Sequence, residues 1–396
     1  MKALQDAYIV AATRAPVGKS GRGALRTTRP DDLFAQTLKH LLSQAPSLDP
    51  TAIEDVIVGC AMPEAQQGLN VARIALLLAG LPNTVGGITI NRFCSSGLNA
   101  IAMAADRIRV GEADVMIAGG VESMSMVPMS GNTPSLSPDI FKDENIGIAY
   151  GMGLTAEKVA QQWKVGREAQ DAFALSSHQK ALAAQAAGEF SAETFAVQIA
   201  QRKMNLALGE VDVSWQSFTQ DEGPRADTSL EGLAKLRAVF AAKGSVTAGN
   251  SSQTSDGAGA LLIVSEKALK QFNLTPLARF VSFAIKGVAP EIMGIGPKEA
   301  IPAALRLAGL KQDAIDWIEL NEAFAAQACA VNKELGIDPL KVNVNGGAIA
   351  IGHPIGASGC RILVSLLHEM QRRDAKKGLA ALCIGGGMGV SLALER

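Results

Sequence analysis

Short apolar runs alternate with stretches in which apolar residues recur every three to four positions, the pattern of parallel strands covered by helices. Asp55-Val56-Ile57-Val58-Gly59-Cys60 predicts a strand, as do Gly87-Ile88-Thr89-Ile90-Asn91 and Asp114-Val115-Met116-Ile117-Ala118-Gly119-Gly120. Between the last two, Leu98, Ile101, Ala102, Ala105 and Ile108 fall on one helix face. The C-terminal part runs the same course. A turn from Gly352 to Gly359 leads into a helix carrying Ile362, Leu363, Leu366 and Leu367 on one side, then a strand from Gly378 to Gly385. Turn, helix, strand and glycine turn thus occur twice with little residue identity. That predicts two similar βαβ-type halves facing each other, with a site at the ends of their strands.

The middle breaks the pattern. From about Glu122 to Gly249 the chain is polar and loop-rich, with Pro128, Pro134 and Pro138 ahead of a charged amphipathic helix expected from Gln161 to Glu189. Gln198 to Asp227 has no clear strand–helix alternation. This segment reads as an inserted loop or cap domain, a natural holder for a substrate handle. The expected division is residues 1–121 plus 250–273 as the N-terminal half, 122–249 as the cap, and 274–396 as the C-terminal half.

Bulk composition narrows the function classes. The 396 residues are 48% hydrophobic and 19% charged, which fits a tightly packed α/β protein and excludes disorder. A net charge of -1 gives no global field to attract nucleic acid or an anionic membrane, so an anionic ligand needs a local basic patch. The apolar region from Val71 to Ile90 is too interrupted to span a bilayer, and Met1 to Asp6 lacks a signal-peptide pattern. Five cysteines, at 60, 94, 329, 360 and 383, include no CxxC pair. Neither a disulfide framework nor a zinc site is expected, and a reducing, cytoplasmic compartment is.

Two of those cysteines stand in glycine-rich turns. Cys94, in Asn91-Arg92-Phe93-Cys94-Ser95-Ser96-Gly97, follows a strand and opens a helix. The helix N-terminus favours a thiolate there, and a thiolate is a nucleophile. A buried structural cysteine is the competing reading. His353, held between glycines and followed by Pro354, is either the general base for Cys94 or a turn histidine capping the next helix. Cys383 ends a strand and enters Gly385-Gly386-Gly387, whose backbone N–H groups suit a developing oxyanion or merely a tight turn. Asn321, after the strand Asp316 to Leu320, either caps a helix or orients a water or oxyanion. Arg225, in Gly223-Pro224-Arg225 before an amphipathic helix, offers a guanidinium for phosphate or adenine, or is a solvated surface arginine.

Taken together and in this order, the motifs resemble the thiolase family over essentially the whole chain. They are Cys94-Ser-Ser-Gly, Gly119-Gly-Val-Glu-Ser-Met-Ser, Val246-Thr-Ala-Gly-Asn-Ser-Ser, Met293-Gly-Ile-Gly-Pro, Asn321-Glu-Ala-Phe, Gly352-His-Pro-Ile-Gly and Cys383-Ile-Gly-Gly-Gly-Met-Gly. The resemblance implies a thiolase fold, an α/β five-layer αβαβα arrangement. It also implies ping-pong acyl transfer through Cys94, with His353 as base and Cys383 as the acid or base at the substrate carbon. One oxyanion hole would use His353 and a water on Asn321; the other, the N–H groups of Cys94 and Gly385. For coenzyme A the matching positions are Arg225 at the nucleotide end, Ser252 and Ala248 along the pantetheine, and Met152 and Phe324 at the thioester. No metal and no permanently bound cofactor is implied; coenzyme A and acyl-CoA enter as substrates.

Family members that make or split acetoacetyl-CoA usually carry a histidine before the matching Met-Gly, where this chain has Gly151-Met152-Gly153. The resemblance therefore points to a 3-ketoacyl-CoA thiolase of fatty-acid β-oxidation. Acetyl-CoA C-acetyltransferase is the alternative, and a non-catalytic acyl-CoA- or lipid-binding protein is the reading from another class. The family also implies a homodimer or homotetramer with Gly87 to Asn91 at the interface, and a β-oxidation partner enzyme.

Overall fold

Ile57 faces one apolar layer while its neighbours Val56 and Val58 face another, and that alternation determines the stacking of the whole molecule. The computed structural model describes residues 4–205 and 209–396. The chain begins with β1 (Ala7–Arg14), β2 (Gly18–Lys19), α1 (Pro30–Ser43), β3 (Asp55–Gly59), α2 (Val71–Leu78), β4 (Gly86–Ile90), α3 (Ser96–Arg109) and β5 (Val115–Ser123). The middle holds α4 (Met152–Gln162), α5 (Arg167–Ala186), β6 (Val197–Asn205), β7 (Glu210–Phe218) and α6 (Leu230–Ala234). Then come β8 (Ser255–Ser265), α7 (Glu266–Gln271), β9 (Ala278–Gly287), α8 (Gly296–Ala308) and β10 (Trp317–Leu320). The chain closes with α9 (Ala325–Leu335), α10 (Ile355–Arg372), β11 (Lys377–Ile384) and β12 (Met388–Glu395).

Strands β4-β3-β5-β8-β1 form one half of the main sheet and β10-β11-β12-β9 the other, with β2 beside β8. The halves share a pairing scheme. β3 runs parallel to β5, which is antiparallel to β8, and β8 to β1; likewise β10 to β11, β11 to β12 and β12 to β9. They join only where Tyr8 meets Arg279 and Ile9 meets Ala278.

Helices α1 and α2 cover the outer face of the first half through Leu33, Phe34, Val71 and Leu76. Helices α8 and α9 cover the second through Ile301, Leu305 and Val331. Between the halves lie α3 and α10, whose Leu98, Ile101, Ile362 and Leu366 share a core with Ile57, Met116, Leu382 and Val390. Full burial contributes about 1.5–3 kcal/mol for each such leucine or isoleucine, so the central layer carries much of the fold's stability. The five layers and the twofold repeat agree with the sequence reading, down to the helix faces named from spacing.

The middle segment differs from expectation in three places. The helix expected from Gln161 to Glu189 is two helices, because Lys164 takes a left-handed backbone (φ 53°) between α4 and α5. Gln198 to Asp227, read as lacking alternation, contains the hairpin β6–β7. All of β7 except Phe218 is exposed, so no buried face imposes a period of two on its sequence. The helix after Arg225 is only the five-residue α6.

Candidate active site

The turn that carries Cys94 is strained and held by its own side chains. Phe93 has φ 44°, a conformation a bulky residue adopts only under constraint. Asn91 Oδ1 accepts from the Phe93 N–H (2.8 Å), and Asn91 Nδ2 donates to the Ala61 carbonyl (3.0 Å). The Ser96 hydroxyl accepts from Arg92 N (2.8 Å) and donates to the Phe93 carbonyl (2.7 Å). At the end of β3 a Cβ on Gly59 would lie 2.3 Å from the Ser96 carbonyl carbon, so glycine lets the first turn of α3 rest on that strand.

The His353 turn is equally constrained. Gly352 has φ 120°, and a side chain there would run into Ser255. His353 N donates to the Gln253 carbonyl (3.0 Å) and to Ser255 Oγ (3.1 Å), which ties the turn to the strand segment after Asn250. His353 Nδ1 is 2.6 Å from Ser358 Oγ, and that hydroxyl donates to the Pro354 carbonyl at 3.0 Å. With the hydroxyl proton committed to the carbonyl, Nδ1 carries hydrogen and donates to the serine. Nε2 is left as the basic nitrogen.

Glycines bring these two turns together. A Cβ on Gly359 of α10 would lie 2.2 Å from Leu98 N of α3, and one on Gly120 of β5 would lie 2.4 Å from the Gly356 carbonyl oxygen. The N-terminal turns of α3 and α10 therefore meet backbone to backbone at the seam between the halves.

A cavity of about 440 Å³ opens on this seam. Cys94, His353, Met152, Ser252 and Phe324 all line it, with Gly151 and apolar walls from Met124, Leu154, Phe240 and Met293. Burial pushes the Cys94 thiol up to about 11, although the backbone N–H groups of Gly385 and of Cys94 itself pull the other way. Burial therefore outweighs those N–H groups, and the resting sulfur keeps its proton. Burial, with the charge of Arg361 second, lowers His353 to about 3, so the imidazole is neutral. The guanidinium of Arg361 is itself buried and has no hydrogen-bond partner among the described residues.

Cys383 is wholly buried and packs with Met152, Ala156, Met293 and Phe324. Its thiol is raised by burial and then by Cys94, which places the two sulfurs in each other's field. Gly385 follows, close enough for its N–H to reach the Cys94 sulfur. Asn321 ends β10, its N–H on the Ala381 carbonyl at 2.9 Å. Since α9 starts only at Ala325, the helix-cap reading of Asn321 fails. Its side chain is 1% exposed, and neither amide atom has a partner among the described residues. An unpaired buried amide costs about 1–3 kcal/mol, so its retention points to a bound water or ligand.

Two predicted binding residues lie elsewhere. Ala248 and Arg225 are exposed and do not line the cavity. Arg225 pairs with Asp227 (3.0 Å), while its backbone N–H donates to His178 Nδ1 (3.2 Å). Sequence reasoning also passed over the residues that frame the site. Gln253 Nε2 donates to the carbonyls of Gly223, Ile349 and Ala350, joining the Arg225 loop to the approach to His353. Glu322 accepts from Ser177 Oγ (2.6 Å), Asn343 Nδ2 (2.9 Å) and Ile349 N (3.2 Å).

The N-terminal thiolase domain model matches residues 7–267 and the C-terminal thiolase domain model residues 274–396. This chain belongs to the thiolase family. It is 50% identical over 393 residues to a 3-ketoacyl-CoA thiolase of Bacillus subtilis, covering 99% of this chain and all of that one. Over 404 residues it is 49% identical to an acetyl-CoA acetyltransferase of Pseudomonas aeruginosa, again covering 99% of this chain and all of the relative. The crystal structure of the Bacillus anthracis acetyl-CoA acetyltransferase superposes with a TM-score of 0.89 at 40% identity, covering both chains in full. This thiolase is therefore an acyltransferase, and coenzyme A thioesters are its substrates. Among the described residues no group of three or more His, Cys, Asp or Glu side chains is arranged to hold a metal, and no helix is long and apolar enough to cross a membrane.

Proposed function

We propose that this thiolase cleaves 3-ketoacyl-CoA with coenzyme A, releasing acetyl-CoA and an acyl-CoA shortened by two carbons. The observation that carries the reading is the meeting of Cys94 with the Gly385 N–H beside Cys383, across the seam and on one cavity with His353. As the Cys94 sulfur attacks the 3-keto carbon, its proton passes to His353 Nε2. The C2–C3 bond then breaks, its electron pair leaves as the acetyl-CoA enolate, and Cys383 protonates that carbon. The proton on His353 restores Cys383. Coenzyme A next attacks the acyl-Cys94 thioester; His353 takes its thiol proton and returns it to the Cys94 sulfur.

The N–H groups of Cys94 and Gly385 stabilise one oxyanion. A water on Asn321 acts with His353 on the other, and the unpaired Asn321 amide supports this assignment. Met152, Phe324 and Ser252 hold the thioester and pantetheine. Ala248 and Arg225, outside the cavity, extend the coenzyme A path toward the nucleotide.

The degradative branch is supported by Gly151. Its backbone is ordinary (φ -63°, ψ 151°), and a Cβ there would meet nothing within 4 Å. Neither conformation nor packing requires glycine at this wall of the cavity, so the missing side chain leaves room for an acyl chain. We also assign a cap to residues 122–249, between core halves 1–121 plus 250–273 and 274–396. A homodimer or homotetramer is supported by β4, an edge strand with Ile88 exposed on one side. The five free cysteines support a cytoplasmic setting, where a β-oxidation partner enzyme supplies the substrate.

The test is coenzyme A-dependent cleavage of acetoacetyl-CoA against 3-ketodecanoyl-CoA, with Cys94→Ala as blank. Faster cleavage of the long substrate supports the reading. Activity confined to acetoacetyl-CoA makes the protein an acetyl-CoA C-acetyltransferase, and binding without cleavage of either makes it an acyl-CoA-binding protein.

A further inference from the structure

Glu122 lies in β5, is fully buried and accepts from the Cys60 thiol (3.9 Å) and from four N–H donors drawn from both halves of the molecule. Its Oε2 accepts from Ala61 N (2.7 Å) and Gly356 N (2.8 Å). Its Oε1 accepts from Met62 N (3.2 Å) and from Gln67 Nε2. Ala61 shares a small apolar cluster with Cys94 and Ile355, against which Met62 and Met124 pack. Gly356 belongs to the first turn of α10, three residues after His353. One carboxylate thus grips the wall of the nucleophile and the helix that follows the base. A Cβ on Gly356 would lie 2.6 Å from Glu122 Oε2, which shows how closely that helix is drawn onto the carboxylate.

The charge of Glu122 works against the chemistry nearby. Cys94 is faced by the N–H groups of Gly385 and Cys94, by the Cys383 thiol and by Glu122, and the carboxylate disfavours the Cys94 thiolate. A group that hinders ionisation of the nucleophile is not there to activate it. Burial raises the Glu122 carboxyl while its four N–H donors pull the other way, and donors shared between both oxygens are the arrangement of a clamp. We propose that Glu122 is a positioning residue that locks the Cys94 wall to the His353 turn across the seam. The proposal rests on Cys94 and His353 being the nucleophile and base.

In Glu122→Gln one oxygen becomes an NH₂ group that faces backbone N–H donors, so at least one side of the clamp opens. Three measurements on the full-length variant separate the possibilities. Hydrogen exchange of peptides covering Ala61–Met62 and Gly356 is expected to quicken in both segments, a readout independent of any activity. The kcat for thiolytic cleavage is expected to fall about a hundredfold, the effect of displacing reacting groups by roughly 1 Å, with KM little changed. The pH midpoint for alkylation of Cys94 is expected to move down, because a negative neighbour is gone. A more acidic thiol with a slower enzyme is the signature of positioning; loss of fold stability alone does not produce it. Gln67→Ala, which removes one donor and leaves the bridge across the seam, keeps a kcat within about threefold of the parent. Unchanged exchange in both segments, or a kcat in Glu122→Gln equal to or above the parent, overturns the proposal. Quickened exchange with no activity in the parent protein would instead refute the assignment of Cys94 and His353.

Discussion

Gly359→Ala separates the packing of the central helices from their function. Gly359 lies in helical backbone within α10 and is not among the residues with positive φ, so its own conformation does not require glycine. Packing does. An alanine Cβ would lie 2.2 Å from Leu98 N where ordinary contact begins at 3.4 Å, so α3 and α10 must part by about 1.2 Å. Two effects on stability oppose each other. Alanine is the better helix former by about 1 kcal/mol. Overpacking a close contact costs about 1–3 kcal/mol. The net loss is therefore at most about 2 kcal/mol. Unfolding entropy of about 2.1 cal/mol/K per residue, taken over this long chain, makes that a fall in Tm of only about 2–3 °C. Activity responds far more. Cys94 stands just before α3 and His353 just before α10, so the same displacement falls between the thiol and the imidazole. A shift of that size costs on the order of a hundredfold in kcat/KM. The assay is thiolytic cleavage of a 3-ketoacyl-CoA at constant coenzyme A, beside a melting curve. Gly151→Ala, with open space for its Cβ, is the control that leaves Tm unchanged. A kcat/KM within fivefold of the parent would refute the claim that the helix crossing sets the catalytic geometry.

Three further outcomes follow from the site. Asn321→Ala removes an unpaired buried amide, so Tm is expected to hold or rise while kcat falls about 10²–10³-fold; a destabilised variant with normal turnover sinks the oxyanion role. Gly151→His fills the open wall, and the ratio of 3-ketodecanoyl-CoA to acetoacetyl-CoA cleavage is expected to drop at least tenfold; an unchanged ratio means the acyl chain runs elsewhere. Burial raises the Glu319 carboxyl from 4.5 to about 8, so the folded protein holds a proton that the unfolded chain releases above pH 4.5. That stability is full below pH 4.5 and is lost as pH rises to about 8, at about 1.4 kcal/mol per pH unit. Denaturant titrations of Glu319→Gln should therefore show a flatter or rising profile from pH 5 to 8 relative to the parent, and parallel profiles contradict the assignment.

The layers were legible because they rest on periodicity. Val56, Ile57 and Val58 alternate between two cores, and Leu98, Ile101, Ile362 and Leu366 repeat at helical spacing, so burial and sequence carry the same information. The hairpin β6–β7 was not legible because no core lies against β7, and the break at Lys164 was missed although Gly166, at the start of α5, marks it. In the site, Cys94, His353, Cys383 and Asn321 stood out through their glycine-rich or strand-end settings. Glu122, Gln253 and Glu322 did not, because what marks them is which backbone groups they reach, and those lie tens to hundreds of residues away. At Cys94 the nearby backbone N–H groups favour the thiolate, and burial outweighs them. Sequence spacing reports the local dipole; it does not report how dry the cavity is.

The departures from local rules gather at one place. Phe93 holds a positive φ, the Asn321 amide and the buried Arg361 guanidinium have no hydrogen-bond partner among the described residues, and Glu122 places a carboxyl near the Cys94 thiol. The strained turn and the unpaired groups cost stability where they stand, and the burial of Glu122 is offset in part by its hydrogen bonds to both halves. The central helices supply what offsets them: a continuous apolar core shared by both half-sheets, with glycines that bring α3 and α10 into backbone contact. Such a core tolerates strain at the helix starts because those turns cannot relax without separating the helices. The two halves thus do more than repeat a pattern. Either half alone would present a strained turn or an orphaned amide with nothing to act on. At their seam Cys94 and His353 line one cavity, with the Cys383 thiol and the Gly385 N–H brought up to the Cys94 sulfur.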